Sequence, residues 1–171
     1  MTTVIDGTIG IDKVKDGSIG QADLGPNVAG NGPAFSARAT SGLTGILANS
    51  PIKVPLSVED FDLGGYFDSV TNYRFTPLVA GYYQFDVIVR MSGTGTNTGA
   101  GSLRKNGVDL VTTQSISDSA TYSEFSFSAL IYLNGSTDYI ELWAANNTAG
   151  AVYGTTGAHS CLLSGFLARA A

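Results

Sequence analysis

A chain of 171 residues suffices for one domain and an appendage, and its 43% of hydrophobic residues can fill a core. Charged residues supply only 13%, about half the usual share of roughly 25%, so part of the low-charge surface is expected to be covered by further copies of the chain. A net charge of −5 argues against nucleic acid and anionic membrane surfaces, which need clustered Lys and Arg, and no stretch reaches the ~20 apolar residues of a membrane span.

Residues 1–33 carry no aromatic side chain. The opening MTTVIDGTIG has neither the basic start nor the apolar run of a secretion signal, so none is expected there. Asp6-Gly7-Thr8-Ile9-Gly10 returns ten residues later as Asp16-Gly17-Ser18-Ile19-Gly20. Ile5, Ile9, Ile11, Val14, Ile19 and Leu24 are spaced out between Asp-Gly turns. One such unit cannot bury its own apolar side chains, so it needs another surface. The segment reads either as a disordered linker or as an extended arm ordered by neighbouring copies or a larger surface. The arm is the expectation carried forward, with those six apolar residues as an attachment device.

From Ala34 to Ala171 the texture changes to alternating strands. GYYQFDVIVRM sends Tyr83, Phe85, Val87, Val89 and Met91 to one side and Tyr82, Gln84, Asp86, Ile88 and Arg90 to the other. That is the pattern of a half-buried antiparallel strand. SEFSFSALIYL repeats it, with Phe125 to Leu133 on one side and Glu124 to Tyr132 on the other. Breaks at SGTGTNTGAG, RKNG, LNGS and ANNTAG recur at spacings that suit a sandwich or jelly roll, and no segment holds a helical period. Some strands are apolar on both sides: Ile140 and Leu142 oppose Tyr139 and Trp143, and Leu162 and Phe166 oppose Leu163 and Leu167. A two-layer sandwich buries one face of each sheet, so a second apolar face calls for subunit contact. Tyr132, Tyr139 and Trp143 are the candidates for that interface.

Catalytic chemistry finds little footing. His159 is the only histidine, and no nucleophile-elbow, zinc or phosphate-loop spacing occurs. It reads as a barrel or interface residue, and no cofactor is expected. Cys161, the only cysteine, sits beside Leu162 and Leu163 and reads as a buried thiol with no disulfide partner in the chain. Glu59, Asp60, Asp62 and Asp68 could offer oxygens to a hard cation, but read as a solvated acidic loop. Asn134 and Asn146 begin glycosylation sequons and read as turn residues.

RFTPLVAGYYQFDV places Phe75, Gly81, Tyr83 and Phe85 in a pattern that resembles the signature of the complement C1q / tumour necrosis factor superfamily. FDLGGYFDSVTNYRF, LRKNGV and LIYLNGSTDYIEL follow in the family's order, and LLSGFLA, with Gly165 and Phe166, is similar to its terminal strand. The resemblance covers about residues 35–168. It implies an all-β, ten-strand jelly-roll sandwich, here a knob over residues 34–171 on the extended arm of residues 1–33, assembling as a homotrimer. The repeat in residues 1–33 resembles the short repeats before trimeric knobs of bacteriophage fibre and capsid-surface proteins. The expected function is therefore non-enzymatic: a virion-surface protein that decorates or cements the capsid, bound through its arm to the major capsid protein or another virion protein. The alternative is a tail or head fibre adhesin that recognises a host surface glycan or protein.

Overall fold

The computed structural model describes residues 23–26, 28, 30–40, 47–92, 97–117, 122–148, 152–153 and 161–171. Ile5, Ile9, Ile11, Val14 and Ile19 of the arm, and His159, lie outside the described residues. Leu24 lies within them, and its carbonyl accepts a hydrogen bond from the Asn31 side chain.

Twelve strands and no α-helix are found among the described residues. They are β1 (Ala34–Arg38), β2 (Ile52–Lys53), β3 (Val58–Leu63), β4 (Phe67–Asp68), β5 (Arg74–Phe75) and β6 (Gly81–Ser92). The chain continues through β7 (Asn97–Lys105), β8 (Val108–Ser117), β9 (Tyr122–Leu133), β10 (Ile140–Asn146), β11 (Val152–Tyr153) and β12 (Cys161–Ala170). The family resemblance implies ten strands, and the excess comes from very short segments. β2 is pinched between Pro51 and Pro55, β4 follows Gly64-Gly65, and β5 ends before Pro77. Proline withholds a ladder donor and glycine weakens a strand, so each segment pairs over only two residues.

All pairing is antiparallel, in two sheets. The first runs β9-β6-β12-β1-β3, with β11 on the far end of β6. In the second, β10 pairs with β7, which pairs with β8; the other edge of β10 carries β2 and β5, and β4 pairs with β5. The core lies between them, and the alternation in β6 decides its first-sheet wall. Tyr83, Phe85, Val87, Val89 and Met91 are all at most 1% exposed. Opposite them stand Leu103 of β7 and Ile140 and Leu142 of β10, fully buried. Burial of a Val, Leu or Phe side chain stabilises by about 1.5–3 kcal/mol, so this cluster is the main support of the fold. The buried Tyr83 hydroxyl donates to the Val79 carbonyl at 2.7 Å, which satisfies the one polar group of that wall.

The two signature glycines are places of close approach. A Cβ on Gly165 would meet the Phe85 ring at 2.7 Å, and one on Gly81 would run into the Arg169 carbonyl where β6 meets the end of β12. The β7–β8 hairpin turns on Asn106 (φ 54°) and Gly107 (φ 81°), the positive pair a two-residue type I′ turn requires.

Candidate functional site

Register along the first sheet sets up its outward face row by row. One row reads Leu130, Gln84, Phe166, Ala34, Leu63, crossing every strand from β9 to β3. The next brings Tyr132 beside Tyr82, with ring centroids 5.4 Å apart, and Arg169. Leu130 is 60%, Leu63 59% and Phe166 48% exposed, and Tyr82 and Tyr132 are also exposed. Ile88 and Leu162 add a further apolar pair across β6 and β12. Two charge pairs border these rows, Arg38–Asp60 at 2.7 Å and Arg90–Glu124 at 2.6 Å. Large apolar side chains on β9, β12 and β3, with the Tyr82–Tyr132 pair beside them, make a patch of the kind that marks an interaction surface rather than scattered surface residues.

The outward face of the second sheet is built differently. Its aromatic rings are capped by cations: the Arg74 guanidinium lies 4.4 Å from the Tyr139 centroid and that of Arg104 4.0 Å from Trp143, with Lys53 Nζ at 5.9 Å. Beneath them Glu141, 4% exposed, accepts from Lys53 Nζ and from Trp143 Nε1 at 3.0 Å. A buried carboxylate is tolerable because both oxygens are engaged. Arg104 also donates twice to Asp109, at 2.7 and 3.4 Å. That hydrogen bond, followed by one from Ser102, holds the Asp109 carboxyl below the usual carboxylate range. Alongside Trp143 a shallow groove of about 200 Å3 is lined by Ala100, Ala145, Thr112, Gln114 and Asp109, among others.

Of the three interface candidates, Tyr132 therefore belongs to the outward face of the first sheet, and Tyr139 and Trp143 to that of the second. The turn between β9 and β10 carries the chain from one layer to the other, and Asp138 anchors it. This buried carboxylate accepts from Lys105 Nζ at 2.8 Å, Asn106 Nδ2 at 2.7 Å and the Asn134 amide at 3.0 Å. Burial raises its pKa, but the Lys105, Asn106 and Asn134 hydrogen bonds and the Lys105 charge together outweigh it and hold the group below its ordinary value. Asn134 Oδ1 collects the amides of Ser136, Thr137 and Asp138, as expected of a turn residue, whereas Asn146 is the buried last residue of β10.

Glu59, Asp60 and Asp62 stand in β3 and Asp68 in β4, not in a loop, and the three aspartates are engaged locally. Asp60 pairs with Arg38 and accepts from Ser36, Asp62 accepts from the Phe67 amide, and Asp68 accepts from the Val70 and Thr71 amides and Asn72. The Thr71 amide and the Asn72 side chain depress the Asp68 pKa to about 2. Among the described residues no three His, Cys, Asp or Glu side chains converge as metal ligands. Cys161 is buried, its thiol facing the Arg90 carbonyl at 3.6 Å, and burial pushes its pKa up. A thiol so placed is a poor nucleophile.

No family model matches the chain, and neither does any curated protein. Solved structures do. The globular domain of the zebrafish complement 1qA protein superposes with a TM-score of 0.58 at 18% identity, covering 81% of this chain and 99% of that one. Murine APRIL at pH 8.5 gives 0.55, and at pH 5.0 gives 0.56, each at 13% identity over 78% of this chain and 96% of that one. At such identities the likeness speaks for the fold alone: two antiparallel sheets joined as the jelly roll of C1q- and TNF-like domains.

Proposed function

We propose that this chain is a non-enzymatic structural protein that works as a homotrimer on a virion surface, decorating or cementing the capsid and held there by residues 1–33. The observation that carries the self-association is the row Leu130, Phe166, Leu63 with Tyr82 and Tyr132 beside it, an apolar face that the subunit itself leaves in water. At roughly 25 cal/mol per Å2 of apolar area, covering such a face with another copy supplies a substantial driving force. The threefold arrangement rests on the family resemblance, and the virion setting on the Asp-Gly repeat of residues 1–33. Leu130→Asp combined with Phe166→Asp is expected to give a folded monomer in analytical ultracentrifugation where the parent chain sediments as a trimer. A parent chain that sediments as a monomer at micromolar concentration overturns the proposal.

A second reading, the host-binding adhesin, is favoured by one observation. The Trp143 groove opens on the outward face of the second sheet, the layer opposite the row Leu130, Phe166, Leu63.

A further inference from the structure

We propose that the groove along Trp143 is a subsite for one ring of a neutral saccharide; this deepens the adhesin reading and rests on the groove staying outside the assembly. The argument starts from size. At about 200 Å3 the groove is smaller than the roughly 300–1,000 Å3 of drug- and cofactor-sized pockets, so it accommodates a single small ring. Its chemistry is two-sided. Ala100 and Ala145 are short side chains that leave a dip beside the indole, and this apolar floor suits the C–H face of a sugar. Thr112, Gln114 and Asp109 bring a hydroxyl, an amide and a carboxylate to the same groove, and these suit the hydroxyl groups around the ring's rim.

Charge decides between saccharide classes. Arg104 and Asp109 neutralise one another through two hydrogen bonds, so the groove offers no surplus cation to a carboxylated or sulfated sugar. Asp109 nevertheless keeps its side chain 48% exposed, and an ionised carboxylate accepts hydrogen bonds from hydroxyls without donating. The indole is fixed in advance, stacked by Arg104 and tied through Nε1 to the buried Glu141, so little ordering is left for binding to impose. A groove this small and open makes few contacts, and a single ring is expected to bind in the millimolar range, with affinity on a surface arising from several copies per trimer.

Trp143 is the only tryptophan of the chain, so its emission reads the groove directly. The full-length protein is titrated with the methyl glycosides of glucose, galactose, mannose and N-acetylglucosamine, and with glucuronic and sialic acids. At least one neutral glycoside is expected to change the emission saturably, and Asp109→Asn and Gln114→Ala are each expected to weaken that binding about tenfold. Both variants should sediment as the parent does. No saturable change with any neutral glycoside overturns the proposal, as does a response to the acidic sugars alone, or binding by both variants as tight as the parent's. Labelled protein applied to host cells separates the two readings. Cell binding without glycoside binding removes the groove and keeps the adhesin. Glycoside binding without cell binding keeps the groove and removes the adhesin.

Discussion

Phe75 sits where four rings meet. It stacks on Phe35 with centroids 4.4 Å apart and meets Phe85 and Tyr83 edge-on at 6.1 and 5.6 Å. Gly165 then lets β12 close over the Phe85 ring. Removing that ring leaves a cavity, so Phe85→Ala is expected to cost about 3–5 kcal/mol in a urea titration. Gly165→Ala presses a methyl group into the same ring and is expected to cost about 1–3 kcal/mol. Adding Phe85→Leu to Gly165→Ala should recover part of that second cost, because the smaller side chain vacates the space. Strictly additive costs would mean that some other neighbour requires a glycine at 165.

The turn that links β9 to β10 is held by the charge on Asp138. A folded-state pKa held below the unfolded value contributes stability that is full above the unfolded pKa and is lost as pH falls through the folded one. Asp138 is depressed, and Asp68 is held at about 2, so acid destabilisation is expected to begin near pH 4 and continue towards pH 2. Asp138→Asn should lower stability at neutral pH by about 1–3 kcal/mol and flatten the acid limb of the stability curve, read by thermal melts from pH 7 to 2. An unchanged acid limb would remove Asp138 from this role. The long strands were legible in the sequence because β6 and β9 alternate through 12 residues each, enough to define a face. β2, β4 and β5 were not, since two residues hold no period. Alternation also tells which side of a strand a residue takes, but not which sheet the strand joins. Tyr132 and Trp143 both read as outward and aromatic, yet β9 and β10 lie in different layers. The Arg104–Asp109 pair is not legible in the sequence, because RKNG announces a turn first and the pairing across the hairpin depends on a register shift after Leu103.

For the whole molecule, residues 1–33 and the knob are expected to separate cleanly in function. β1 begins at Ala34, and Leu167 of β12 donates to the Pro33 carbonyl at 2.9 Å, so a chain starting at Gly32 retains every strand found among the described residues. It is expected to trimerise but to fail to bind particles that lack the protein. In the proposed trimer three arms would multiply weak contacts, provided they reach their sites. Ile9→Asp with Ile19→Asp should weaken attachment in a particle pull-down while leaving the melting temperature nearly unchanged. Equal binding by the shortened chain would reduce the arm to a linker.

The position of β12 has a consequence for how the protein is made. It lies between β6 and β1, and Leu163 and Leu167 on it complete the first sheet's share of the core. During synthesis β1 and β3 emerge early but have no route into the sheet until residues 161–170 leave the ribosome. Nearly the whole knob must then be in hand before the first and last strands can zip together, a long-range closure that folds slowly. The outward row proposed for self-association runs through Phe166 on that same late strand. A product that stops short of β12 therefore lacks both the strand that joins β1 to β6 and the Phe166 side chain of the proposed self-association face, and is expected to be unable to compete for it.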